Sequence, residues 1–208
     1  MTPPRLFDRA RWRRARARSA AEFTAHDFLH RRAFADIVER LESTTRRFDK
    51  ALLYGVGPLA SMLTDGAGVA AYALADIAAD RIGESGIVYS EDDSALAPQS
   101  VDLIVSLLTL HTAEDLIGAL VQHRTALNPD GLFLGAIFAE ETLGNLRRSL
   151  YAAEAARYGG VSPRIAPFGA INDLGAALQR AGFALAVVDI DRVEIKYEDP
   201  GRLLADLK

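Results

Sequence analysis

The chain has 208 residues, half of them hydrophobic and a quarter charged, with a formal net charge of -4. That is enough chain for one α/β-sized domain with its own core, and the charge balance gives no argument for a nucleic-acid partner. With no cysteine, disulfides, thiolate metal sites and cysteine nucleophiles are excluded. None of the four histidines sits in a metal-binding pattern, and no apolar run is long enough to span a membrane.

From Arg5 to Arg18 the chain is rich in arginine and nearly free of acid. A basic amphipathic helix of the folded protein is expected there; a mitochondrial transit peptide has the same composition and is the competing reading. The apolar middle of a secretory signal is missing, so a reducing compartment is expected. Residues 27 to 42 carry Phe28, Leu29, Ala33, Phe34, Ile37, Val38 and Leu41 at helical spacing, which predicts an amphipathic helix.

The pattern then changes to short apolar runs, which predict buried strands. They are Ala51 to Gly55, Val69 to Ala75 ending in Asp76, Gly86 to Ser90 before the acids Glu91, Asp92 and Asp93, and Val101 to Leu108. Leu132 to Phe138 follows the turn Asn128-Pro-Asp-Gly131. Thr112 and Asp115 predict a capping box for a helix with Leu116, Ile117, Leu120, Val121 and Leu127 on its apolar face. A further helix over Thr142 to Tyr158 is stopped by Gly159-Gly160, and another runs from Asn172 or Asp173 to Gly182. Phe183 to Ile190 is predicted as a strand, with Arg192 to Tyr197 extending or following it.

Strands alternating with helices predict a mostly parallel sheet covered on both faces. Ligands of such sheets bind beyond the carboxyl ends of the strands. Gly55-Val-Gly57-Pro-Leu-Ala60 follows the first strand, and Asp76, roughly 20 residues on, ends the second. Glycines permit close backbone approach, and a carboxylate can accept two hydrogen bonds from a ribose diol. Asp92, after the third strand, is placed to accept from the exocyclic amine of adenine. Taken singly, each signal also fits an ordinary turn residue; their order on successive strands makes the case for a nucleoside site. The same glycines satisfy the dinucleotide fingerprint of nicotinamide enzymes. The short stretch before Asp65-Gly66 leaves little room for the helix such an enzyme needs, and no side chains for hydride transfer stand out.

The stretch from Thr142 to Phe183 resembles the complex I assembly factor 5 family. It does so through Thr142-Leu143, Leu146-Arg147, Ser149-Leu150, Ala153-Glu154, Gly159-Gly160, Ser162-Pro163-Arg164, Pro167-Phe168, Asn172 to Gly175 and Arg180 to Phe183. Leu6 to Arg9, Phe28-Leu29, Val101 to Ser106, Leu110-His111 and Asn128 to Gly131 extend the resemblance along the chain. It implies a Rossmann-like class I S-adenosylmethionine-dependent methyltransferase fold with added N-terminal helices. One domain over 1-208 is expected: a basic helical segment (1-48), a cofactor-binding half (49-140), and a lid helix with a C-terminal strand region (141-208).

The resemblance implies an S-adenosylmethionine site at Gly55, Gly57, Asp76 and Asp92, with Leu96 following the adenine acid. It also implies a protein substrate, with a respiratory complex I subunit as the candidate, and an activity that is methylation or, as credited to the mitochondrial member, arginine hydroxylation. The location implied is the bacterial cytoplasm, or the mitochondrial matrix in a eukaryote. His111 is the candidate base, with a packing histidine as the alternative. Arg147 and Arg164 are candidate substrate-binding residues on a lid.

Two departures from the family pattern bear on the cofactor. Leu53 stands where the family has an acid, and Leu59 where it has the last glycine. Family members also continue past the segment like Leu203 to Leu207, so a smaller sheet or an open seam is expected. Two other readings therefore stand beside the first: an assembly factor that has lost the cofactor, and a small-molecule or carrier-protein methyltransferase.

Overall fold

The computed structural model describes residues 6–93 and 96–207; Arg5, the first residue of the basic stretch, lies outside them. Five parallel strands form one sheet: β1 (Ala51–Tyr54), β2 (Tyr72–Asp76), β3 (Ile87–Val88), β4 (Val101–Leu107) and β5 (Leu127–Ala136). Their spatial order is β3-β2-β1-β4-β5. The order turns back beside β1, and that reversal puts the carboxyl ends of β1, β2 and β4 around one crevice.

Among the described residues six α-helices accompany the sheet: α1 (Arg9–Ser19), α2 (Phe28–Glu42), α3 (Leu116–Ala126), α4 (Gly144–Tyr158), α5 (Ile171–Arg180) and α6 (Pro200–Asp206). Strand side chains alternate between faces. Leu53, Leu103, Val105 and Leu107 meet Phe34, Ile37, Val38 and Leu41 of α2 on one side. On the other side Leu52, Tyr54 and Ile104 pack with Ala126 and Leu127, and Ala119 and Leu120 of α3 meet Ala177 of α5. Burial on both faces is why β1 reads as an unbroken apolar run and β4 as one interrupted only by Asp102 and Ser106.

Several boundaries differ from expectation. Val69 forms only an isolated bridge with Phe48, so β2 starts at Tyr72. The Asn128 to Gly131 turn is taken up inside β5 as an irregularity: Val101 pairs with Leu127, but Leu103 pairs with Leu132, and Asp130 has a φ of +62°. The expected capping box is replaced by a simpler cap. Asp115 itself is the N-cap of α3 and accepts from the Gly118 N–H at 2.8 Å, while Thr112 bonds back to the Thr109 carbonyl. Gly159, at a φ of +69°, ends α4 as expected.

The largest difference lies after α5. Neither Phe183–Ile190 nor Arg192–Tyr197 forms a strand. A strand needs a ladder partner, and this segment does not join β5, the outer strand of the described sheet. Asp189 and Asp191 pair with Arg40 and Arg32 of α2 instead, and the Phe183 ring meets that of Phe133. Leu185 and Val187 stay 97% and 83% exposed.

Candidate functional site

The glycines come first. Gly55 and Gly57 have φ values of +75° and +54°, a region that disfavours side chains. A Cβ on Gly55 would lie 2.6 Å from the Leu107 carbonyl oxygen, and one on Gly57 would lie 3.0 Å from that of Arg81. The close approach these glycines permit is therefore to the protein's own backbone. Leu53 is fully buried in the α2-side cluster, and Leu59 belongs to the same cluster. Leu59, at the family's last glycine position, packs into the core and does not line the cavity at the strand ends.

Asp76, the last residue of β2, has no solvent exposure. Its Oδ1 accepts from Arg16 Nε at 2.9 Å and from the Ala78 N–H at 3.0 Å, and its Oδ2 accepts from Arg16 Nη2 at 2.5 Å. Asp92 is bound in a related way, pairing with Arg9 and accepting from Ser90 Oγ at 2.5 Å and the Glu114 N–H at 2.9 Å. Burial opposes its charged form, but the bonds from Ser90 and Glu114 and the field of Arg9 prevail and hold its carboxyl below the usual range. Both expected nucleoside acids are thus held by guanidinium groups of α1. Glu91 turns inward to His123, while Leu96 packs on the cluster around Tyr54 and Tyr89.

A cavity of about 10 Å³ remains between α1 and the strand ends, lined by Trp12, Arg16, Tyr54, Glu91 and Thr109 among others. That is room for a single water. The residue types suit the nucleoside half of S-adenosylmethionine, but the space left between α1 and the strand ends does not.

A second group lies beyond β4. The His111 ring meets Phe138 and Phe168 edge-on, at centroid distances of 5.0 and 5.7 Å. Burial first, and the charge of Arg16 second, lower its pKa to about 4, so it is neutral at pH 7; its Nδ1 is buried without a hydrogen bond. His30 is also lowered to about 4, by burial and then by Arg16 and Arg81. Arg147 stands over Phe168, 5.9 Å from the ring centroid, and bonds to the Glu140 and Thr142 carbonyls. The fold therefore brings His111 and Arg147 to one aromatic cluster. Arg164 is engaged elsewhere: its Nε donates to Glu154 Oε1 at 2.6 Å, and Glu154 also accepts from the Ser162 N–H.

No family model matches the chain. The human mitochondrial protein named arginine-hydroxylase NDUFAF5 is 38% identical over 221 residues, which cover 100% of this chain and 64% of that protein. The Danio rerio protein of the same name is 34% identical over 98% of this chain and 67% of its own length. The chain belongs to the NDUFAF5 family. It spans about two thirds of the length of those relatives. A Haloferax volcanii protein solved with the Trm112 methyltransferase activator superposes with a TM-score of 0.61 at 19% identity, over 84% of this chain and 81% of its own. The NDUFAF5-family chain thus has the class I S-adenosylmethionine-dependent methyltransferase fold.

Sequence reasoning missed the partners of the two acids. Arg9 and Arg16 stand seven residues apart, two helical turns, and so share a face of α1; that spacing was the available signal. Arg81, buried with Nε and Nη2 lacking hydrogen bonds, gave none. Its guanidinium carbon lies 3.5 Å from the Phe23 ring centroid, and burial, then Arg16, pushes its pKa down to about 10.

Proposed function

We propose that the protein is an S-adenosylmethionine-binding enzyme of the methyltransferase fold that modifies a protein side chain, an arginine in the favoured case, during respiratory complex assembly. The observation that carries this is the succession of Gly55 and Gly57 after β1, Asp76 as the last residue of β2 and Asp92 after β3, on three neighbouring strands. A ribose diol and an adenine amine would find acceptors there in the right order. The name of the human relative supports arginine as the residue acted on, and the resemblance to the complex I assembly factor 5 family supports complex assembly as the setting. The compartment follows from that reading: the bacterial cytoplasm, or the mitochondrial matrix in a eukaryote. Among the described residues no helix is long and apolar enough to cross a membrane.

S-adenosylmethionine, when bound, supplies an activated methyl group. The chain's own part is to hold the nucleoside through Asp76 and Asp92 and to accept the substrate's proton. His111 is the candidate for the second task through its unengaged Nδ1, although the burial that lowers its pKa to about 4 also makes it a weak base. Arg147, beside Phe168, is the substrate-facing cation of the pair expected on the lid. Arg164, tied to Glu154, is the weaker member.

An assembly factor without the cofactor is the second reading, favoured by Leu53 and by the small cavity. Calorimetric titration with S-adenosylmethionine and S-adenosylhomocysteine separates the two. Micromolar binding that is lost in Asp76→Asn supports the enzyme. No heat and no thermal shift at millimolar ligand supports the assembly factor.

A further inference from the structure

We propose that α1 is an internal occupant of the nucleoside cleft, and that a nucleoside enters only as Arg16 and Arg9 withdraw from Asp76 and Asp92. This rests on the cofactor reading above and adds a competition that the reading does not require.

Acceptor counting carries the first step. A carboxylate offers about four acceptor positions. Three of those on Asp76 are taken, two by Arg16 and one by the Ala78 N–H. A ribose diol needs two. Asp76 has no solvent exposure, and the Arg16 side chain is 8% exposed, so the guanidinium fills the place from which a ribose would approach. Space says the same: a cavity of about 10 Å³ excludes any nucleoside.

The way α1 is held makes it displaceable. Its sequence from Arg9 to Ser19 has six arginines, one tryptophan, three alanines and no aliphatic stripe. Arg16 is its one buried residue. Ion pairs and hydrogen bonds fasten it: Arg16 to Asp76, Arg9 to Asp92, and upstream the Leu6 and Phe7 N–H groups to Glu114. Withdrawal exposes Trp12 and the cavity wall beneath it, but it uncovers no aliphatic stripe of α1 and returns the guanidinium groups to water, where they are well solvated. A helix anchored by an apolar face would lack that freedom.

The closed arrangement also carries an electrostatic cost. Arg81 is buried with Nε and Nη2 unbonded, near enough to Arg16 that the two like charges oppose each other. Departure of Arg16 relieves that repulsion, leaves Arg81 as the nearby cation that Asp76 favours, and frees the Asp76 acceptor positions held by Arg16.

Trp12 is the chain's single tryptophan and lines the residual cavity, so its fluorescence reports on α1 directly. The experiment titrates S-adenosylhomocysteine into the full chain as wild type, Arg16→Gln and Asp76→Asn, following heat, Trp12 emission and iodide quenching. In the wild type the ligand is expected to shift Trp12 emission to the red and to increase quenching. Arg16→Gln is expected to bind at least about tenfold tighter, because loss of a buried ion-pair partner weakens the closed form. Binding by Arg16→Gln where the wild type takes none is the extreme of the same result.

Ligand binding to the wild type with Trp12 unchanged, or weaker binding by Arg16→Gln, overturns the competition and leaves the cofactor reading intact. No binding by either protein at millimolar ligand removes both. If Arg16→Gln does not fold, the wild-type fluorescence decides alone.

Discussion

His123 Nε2 lies 3.4 Å from Glu91 Oε1, and both side chains are closed to solvent, 0% and 4% exposed. The pair joins α3 to the loop after β3, and the His123 ring stacks on Phe133 at 5.7 Å. Neither residue's side-chain N and O atoms make a full hydrogen bond. Removing one partner from such a pair leaves a buried polar group uncompensated. His123→Phe and Glu91→Leu are each expected to cost about 3 kcal/mol, and the double variant distinctly less than the sum. Urea denaturation of the four proteins measures this; strictly additive losses would show that the two residues do not interact.

The glycine loop yields a contrast. Gly55→Ala must place a Cβ 2.6 Å from a backbone oxygen of β4 at a φ of +75°, and β4 cannot yield without breaking ladder bonds. A loss of about 3 kcal/mol is expected. Gly159, with a φ of +69° and nothing within 4 Å of an added Cβ, meets only the conformational penalty. Gly159→Ala should cost about 1 kcal/mol. Equal midpoints in urea for the two variants would refute the steric account.

Acid should act through His30 and His111. Each has a folded-state pKa of about 4 against 6.5 unfolded, so the unfolded chain binds more protons between those values. Their contribution is present above pH 6.5 and is lost as pH falls towards 4, by up to about 3 kcal/mol each at roughly 1.4 kcal/mol per unit. Thermal melts from pH 8 to 4 should show the decline, and His111→Phe should reduce its slope. A melting temperature that is flat across this window would contradict the assignment.

Arg164 and Glu154 tie the end of α4 to the loop beyond Gly160. Arg164→Ala is expected to speed amide exchange in residues 159 to 168 and to leave β1 and β4 protected. Unchanged exchange in that loop would mean the exposed guanidinium does not order it.

Much of the architecture was legible because it depends on local pattern. Ala51 to Tyr54 is apolar throughout, and Val101 to Leu107 is apolar apart from Asp102 near its start and Ser106 near its end, the pattern of strands covered on both faces. The helical spacing of Phe34, Ile37, Val38 and Leu41 names the face that α2 buries. The glycines and the acids at the strand ends were also visible, since their place in the order of elements identifies them. The segment from Phe183 to Tyr197 was misread for the complementary reason. Alternation and β-branched residues describe a strand's side chains, but a ladder also needs a neighbour, and pairing is a property of the assembled sheet.

The amino-acid sequence by itself determined the sheet-and-helix alternation, the strand ends at which a nucleoside would be read, and the absence of thiol chemistry. Only the tertiary structure decided what holds those strand ends. Asp76 and Arg16 are 60 residues apart and Asp92 and Arg9 are 83 apart, separations at which no local pattern specifies a partner. A buried carboxylate must find a cation or hydrogen-bond donors, and it is the folded path of the chain that brings α1 across the crevice to supply them.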